Sequence, residues 1–327
     1  MRRIAVPGIA IPIPVLGFGC SAITSLGKEQ ALQVLATAFD AGVRHFDVAR
    51  YYGYGESEGL LGRFLKSRRA QVTITTKFGI DPPKRTSALR LAMQAGRKLV
   101  QLVPAARGFL RSRAQALVKG GMFNVNDART SLETSLRELG TDYVDFYLLH
   151  DYVVSGTSPD ELAAFLMEAV KAGKIRNFGL GTGIDNVLLA LQSQPELCGV
   201  LQFENSVLHR NVARLPLSAP QRLTITHGSL GASYRSLSAF LKTHGELTRS
   251  WSTELAVDCS RDQTISALML NYSVHTNPNG LVLFSSRDAS RTARNVKAVL
   301  LPDLSREQVE LFGQLVERDL IPFVQTV

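Results

Sequence analysis

Residues 42–65 read GVRHFDVARYYGYGESEGLLGRFL, and the architecture turns on how this stretch is parsed. Val43 to Val48 is a short strand. The chain then breaks into a turn crowded with Tyr51, Tyr52, Gly53, Tyr54 and Gly55. A helix starts near Ser57, because Leu60, Leu61, Phe64 and Leu65 lie on one helical stripe and outweigh Gly59. Asp47 therefore stands at the C-terminal end of a strand, and Tyr52 on the loop behind it. In α/β folds ligands gather where strands deliver their C-terminal ends.

The same strand–loop–helix rhythm extends in both directions. Core strands are predicted to begin near residues 15, 43, 72, 143, 175, 200, 223 and 281, with helices over 30–41, 127–139, 160–172, 185–192, 264–274, 289–300 and 306–318. Asp127 is read as an N-cap. Ile4 to Ile11 reads as a β-hairpin, and residues 230–262 are expected to be partly loop. Eight strands alternating with helices predict an α/β (β/α)8 TIM barrel, with residues 1–327 forming a single domain. Residues 80–125 interrupt the rhythm. From Ser87 to Val103, apolar residues recur at helical spacing opposite Arg90, Arg97 and Lys98, which describes a basic amphipathic helix inserted after strand three.

Composition narrows the functional classes. The 327 residues are 45% hydrophobic and 20% charged, which suits a folded core and not a disordered chain. No apolar run is long enough to cross a bilayer. The N-terminus has the basic-then-apolar outline of a signal peptide, but Pro7, Pro12 and Pro14 oppose the continuous helix such a segment needs. Cys20, Cys198 and Cys259 show neither metal-ligand spacing nor an even disulfide framework, so a reduced, cytoplasmic setting is expected and no metal site. The net charge of +9 has a local source. Residues 82–119 hold nine basic side chains and no acidic one, and the remaining 28 basic residues balance the 28 acidic ones. A nucleic-acid footprint is therefore not indicated. The insertion should overhang the barrel mouth, as a lid for an anionic substrate or cofactor, as a docking helix for an acidic surface, or as a solvated loop.

Four polar residues fall where a barrel would converge its strand ends: Asp47, Tyr52, Lys77 in TITTKFG, and His150 in YVDFYLLHD. A lysine ending an apolar strand needs a partner, and Asp47 is available. A lysine beside a tyrosine favours the phenolate and lowers the phenol pKa. Such a tyrosine can give a proton to a developing alkoxide, and His150 can hold the carbonyl oxygen. GFGCSA, Gly17 to Ala22, matches a dinucleotide-binding glycine pattern only formally, since no helix opens directly after it. GYGESEG lacks the Lys-Ser/Thr of a phosphate-binding loop.

These motifs make the sequence similar to the aldo-keto reductase superfamily. The resemblance rests on GVRHFDVARYYGYGESEGLLG, TTKFG, SLETSLRELGTDYVDFYLLH, GKIRNFGLGT and LQFEN. It covers most of residues 15–205 and returns at 265–297. It implies a (β/α)8 barrel using a nicotinamide cofactor without a Rossmann fold, with Tyr52 as general acid, Lys77 and Asp47 tuning it, and His150 orienting a small-molecule carbonyl substrate. For the cofactor it implies Gln202 at the carboxamide. Gly181 and Thr182 replace the usual Ser-Asn pair, and His227 replaces the stacking aromatic, with Thr226 as the alternative if the register slips. In FSSRDASRTARN, Ser285 and Ser286 fall on the pyrophosphate side, Arg291 on the 2′-phosphate contact and Asn295 on the adenine contact. The arginine favours NADP(H). An NADP(H)-dependent oxidoreductase is the leading expectation, a sugar dehydrogenase running toward oxidation a close variant, and a nucleotide-sensing binding protein with little turnover the rival. A monomer or weak homo-oligomer without a stable membrane anchor is expected.

Overall fold

The structure, a computed structural model, describes residues 1–82, 119–154, 159–216, 222–300 and 303–321. The basic helix expected over 87–103 and most of the insertion lie outside the described residues. The chain opens with β1 (Arg3–Ile4) and β2 (Ile13–Pro14), then β3 (Leu16–Gly19), α1 (Lys28–Asp40), β4 (His45–Asp47), α2 (Ser57–Leu65) and β5 (Thr73–Phe78). Beyond β5, β6 (Ile80–Asp81) pairs antiparallel with β7 (Lys119–Gly120), so the two ends of the insertion lie side by side. Then come α3 (Val125–Leu139), β8 (Val144–His150), α4 (Asp160–Lys171), β9 (Ile175–Gly181), α5 (Ile184–Ser193), β10 (Val200–Glu204) and β11 (Leu223–His227). The chain continues through α6 (Ala232–Thr243), α7 (Gly245–Leu255), α8 (Asp262–Thr276), β12 (Leu281–Phe284), α9 (Ala289–Leu300) and α10 (Arg306–Asp319).

Strands β3, β4, β5, β8, β9, β10, β11 and β12 close into a parallel barrel in chain order, with β12 returning to β3. This is the expected (β/α)8 count. The hairpin is present but its arms sit further apart than expected. Arg3 pairs with Pro14 and Ile4 with Ile13, leaving residues 5–12 as the connection. Pro7 and Pro12 fall in that connection, whereas Pro14 ends the second arm opposite Arg3. Ile13 is fully buried and packs with Phe146, Leu148, Ile225 and Leu283 at the barrel floor.

Two local expectations are corrected. Asn124, not Asp127, caps α3: its side-chain oxygen accepts the Asp127 N–H at 2.9 Å, and Asp127 lies in the first turn. Residues 230–262 are mostly helical, as α6 and α7. The pattern is obscured because α7 is rich in Ser and Thr. Their hydroxyls bond back along the helix, Thr248 to the His244 carbonyl and Ser252 to the Thr248 carbonyl, instead of competing with it. Trp251 anchors this region, fully buried against Phe312, with its indole N–H on Asp319 at 2.7 Å.

Strand alternation sorts the barrel into two faces. Phe46, Ile74, Phe78, Tyr147 and Leu149 point out to the helices and form the main core. Their neighbours point in. Near the floor the interior is apolar. At mid-height His45 is enclosed, its ring nitrogens on the Thr73 and Thr75 hydroxyls at 2.9 and 3.2 Å. At the C-terminal rim the inward positions are Gly19, Asp47, Lys77, His150, Gly181 and Gln202, followed by His227 and Ser285.

Candidate active site

The rim brings the four strand-end residues into one cluster. Lys77 Nζ donates to Asp47 Oδ1 at 2.6 Å, to the Tyr52 hydroxyl at 3.1 Å and to the Val48 carbonyl at 3.3 Å. Asp47 and Lys77 are buried, at 3% and 2% exposure. The rings of Tyr52 and His150 meet edge to face at 5.6 Å. A carbonyl lying between them would find a phenol on one side and an imidazole on the other.

The loop that presents Tyr52 is shaped by two left-handed residues, Gly53 and Tyr54, at φ of 60° and 56°. Glu58, fully buried on α2, steadies it. Its carboxylate accepts from the Thr76 hydroxyl at 2.7 Å and from Arg50 at 3.0 Å, joining both ends of the loop to β5. Sequence reasoning passed over Glu58. The signal was there, because residues 58, 61 and 65 share one helical stripe, and a carboxylate among leucines on that stripe must have a buried partner.

Electrostatics qualifies one expectation. Burial raises the Tyr52 phenol above its ordinary pKa, and this outweighs the pull of Lys77 in the other direction. The phenol is thus held protonated. Burial works to discharge Lys77, but Asp47 and Tyr52 outweigh it and keep the ammonium above its usual value. His150 is pushed down to about 3 by burial and by the charge of Lys77, so it is a neutral hydrogen-bonding ring.

The expected cofactor residues occupy the same rim. The Gln202 amide donates to the second Asp47 oxygen at 2.6 Å, so both carboxylate oxygens are engaged. Sequence reasoning missed this contact. Gly181 makes room for it: a Cβ there would stand 3.2 Å from Gln202 Oε1 and 3.5 Å from the Lys77 stem. The Thr182 hydroxyl is spent on the Tyr152 carbonyl at 2.8 Å, and its N–H on the Gln202 carbonyl. His227 ends β11 and is exposed at the mouth, whereas Thr226 is buried and bonded to the Leu281 carbonyl of β12. Ser285 donates to the Gly19 carbonyl at 2.8 Å, across the β12–β3 seam. Ser286 and Asp288 fold the entry to α9, where Asp288 accepts the Arg291 N–H at 2.7 Å. Arg291 is exposed on the first turn and Asn295 is half-buried one turn on. Arg287, Arg291 and Arg294 form no ion pair among the described residues. A helix N-terminus carrying three unpaired guanidiniums fits a phosphate-bearing group. Among the described residues no cluster of His, Cys, Asp and Glu could hold a metal ion, and no helix is long and apolar enough to cross a membrane.

A closed parallel barrel with this rim defines a class, and sequence comparison agrees with it. The profile of the aldo/keto reductase family matches residues 15–212, so the chain belongs to the aldo/keto reductase family. Aldo-keto reductase yakc (NADP(+)) of Schizosaccharomyces pombe is 29% identical over 175 residues, covering 51% of this chain and 42% of that protein. D-threo-aldose 1-dehydrogenase of a Pseudomonas species is 28% identical over 204 residues, covering 59% and 57%. The chain thus spans about half the length of these curated relatives. An aldo-keto reductase from Klebsiella pneumoniae in complex with NADPH superposes with a TM-score of 0.64 at 18% identity, over 97% of this chain and 95% of that one.

Proposed function

We propose that the chain is an NADP(H)-dependent oxidoreductase that interconverts a small carbonyl compound and its alcohol. The observation that carries this reading is Lys77 Nζ held between Asp47 at 2.6 Å and the Tyr52 hydroxyl at 3.1 Å at the barrel mouth. The cofactor, when bound, supplies or accepts the hydride. Gln202, His227, Ser285, Ser286, Arg291 and Asn295 are the residues that would hold it. The unpaired arginines on α9 match the extra phosphate of NADP(H), and the names of the yakc relative and the Klebsiella complex point the same way.

Each residue of the rim then has one task. Tyr52 gives its proton to the carbonyl oxygen as negative charge develops there. Lys77 stabilises the phenolate left behind, and Asp47 keeps Lys77 charged and aimed. His150, neutral, donates a hydrogen bond that fixes the carbonyl oxygen. In the oxidative direction Tyr52 starts as phenolate and takes the proton. The aldose dehydrogenase relative favours including sugars among the substrates.

A titration with NADPH and NADH, followed by a screen of aldehydes, ketones and aldoses, tests the reading. Tighter NADPH binding that weakens on Arg291→Ala is expected, together with turnover that falls by about 10²–10⁴-fold in Tyr52→Phe while NADPH binding is kept. Turnover retained in Tyr52→Phe would overturn the assignment of the acid. The Thr182 hydroxyl, committed to the Tyr152 carbonyl, favours one second reading, a nucleotide-binding regulator. Tight NADPH binding without turnover across the whole panel would support it.

A further inference from the structure

The end of the barrel away from Tyr52 carries a second concave feature. A cleft of about 460 Å3 lies between the N-terminal hairpin and the strand starts of β10 and β11, lined by Arg2, Arg3, Arg222, Asn177 and Asn279 over an apolar base that includes Val200. Each guanidinium is anchored to backbone carbonyls through one terminal nitrogen. Arg2 Nη2 donates to Val274 at 3.1 Å, Arg3 Nη1 to Pro12 at 3.1 Å, and Arg222 Nη1 to Cys198 at 2.7 Å and Pro195 at 3.1 Å. These anchors set the planes of the three groups and, among the described residues, leave their other N–H donors uncommitted.

Charge around the cleft is one-sided. None of the three arginines makes an ion pair among the described residues, and no acidic side chain lines the cleft. Every Asp and Glu of the chain falls within the described segments, so no carboxylate side chain remains elsewhere to neutralise them. Three converging cations with no counter-charge raise the local potential and concentrate anions. Forked guanidinium donors match phosphate oxygens in pairs. The volume is that of a small-molecule site, not of a flat docking face. We propose that the barrel floor binds a small phosphate-bearing anion, held by Arg2, Arg3 and Arg222, at a site separate from the cofactor rim.

Isothermal titration with inorganic pyrophosphate and with glucose 6-phosphate, on Tyr52→Phe protein saturated with NADPH so that the rim is filled and turnover is blocked, at an ionic strength held constant with NaCl, tests this. Saturable binding at one site is expected. Its dissociation constant should weaken at least tenfold in Arg222→Ala and in the hairpin double variant Arg2→Ala/Arg3→Ala, and stay within twofold in Arg291→Ala. Should Arg222→Ala fail to fold, the exposed hairpin variant carries the test alone. Tighter binding of glucose 6-phosphate than of pyrophosphate would assign the site to a phosphorylated metabolite, and the reverse order to the inorganic anion. Heats no larger than those of NaCl would overturn the proposal. Binding that survives the hairpin variant, or that is lost in Arg291→Ala, would also overturn it.

Discussion

The meeting of Tyr52, Lys77 and Asp47 was readable because chemistry restricts it: a lysine on an apolar strand end needs a partner, and a strand-end carboxylate and a phenol five residues beyond it are at hand. The direction of the Tyr52 shift was not readable, since burial, which outweighs Lys77, is a property of the assembled rim. Its consequence is a pH profile. In the role proposed for Tyr52 carbonyl reduction uses the phenol, so its rate should be level through neutral pH and fall only where Tyr52 ionises, above the ordinary phenol range. Alcohol oxidation needs the phenolate and should rise over the same alkaline range. In Lys77→Met the phenolate loses its stabilising charge, so oxidation at pH 9 should drop further than reduction at pH 7. Initial rates in both directions check this. Gly181 is the second residue that matters. Its missing side chain lets Gln202 reach Asp47, and a Cβ would press within 3.2 Å of Gln202 Oε1. Gly181→Ala should lower kcat roughly tenfold, with a smaller change in NADPH dissociation, because slight misplacement of a reacting group is costly. An unchanged kcat would mean that the Gln202–Asp47 contact does not support catalysis.

Loops and helices were readable to the degree that their signals were local. The eight barrel strands appear where the apolar runs predict them, and their ends differ from expectation by at most two residues. The cap of α3 was misassigned because Asn124 and Asp127 are both capping residue types, and only the geometry separates them. Asn124→Ala should cost about 1 kcal/mol of stability, the usual loss for a capping side chain, measured by urea denaturation. The connection between β4 and α2 depends on Glu58 more than its sequence position suggests. Removing that carboxylate leaves the part-buried Arg50 and the Thr76 hydroxyl without their partner. Glu58→Ala should destabilise the protein by about 3 kcal/mol and also lower kcat, since the same loop carries Tyr52. Stability lost with kcat unchanged would separate Glu58 from the positioning of the acid.

For the barrel as a body, the buried His45 sets a response to acid. Burial, the largest influence, holds its pKa at about 4 against an ordinary 6.5. The folded state therefore keeps His45 neutral where the unfolded chain would already be protonated. Its contribution is intact above pH 6.5 and is lost as pH falls from 6.5 to about 4, by on the order of 3 kcal/mol. His45→Asn should flatten that part of the stability profile, followed as Tm against pH. The barrel count was open to sequence reasoning because each βα unit announces itself separately. Closure followed from that count, but the register of the seam did not, because it joins the two most distant strands. The seam between β12 and β3 brings Ser285 to Gly19, 266 residues earlier. A ribosome making 5–20 residues per second delivers that partner roughly 15–50 s after β3 has emerged. Throughout that interval the nascent sheet has two open edges able to recruit strands from neighbouring chains, so the late-arriving β12 acts as the latch that ends its exposure to aggregation.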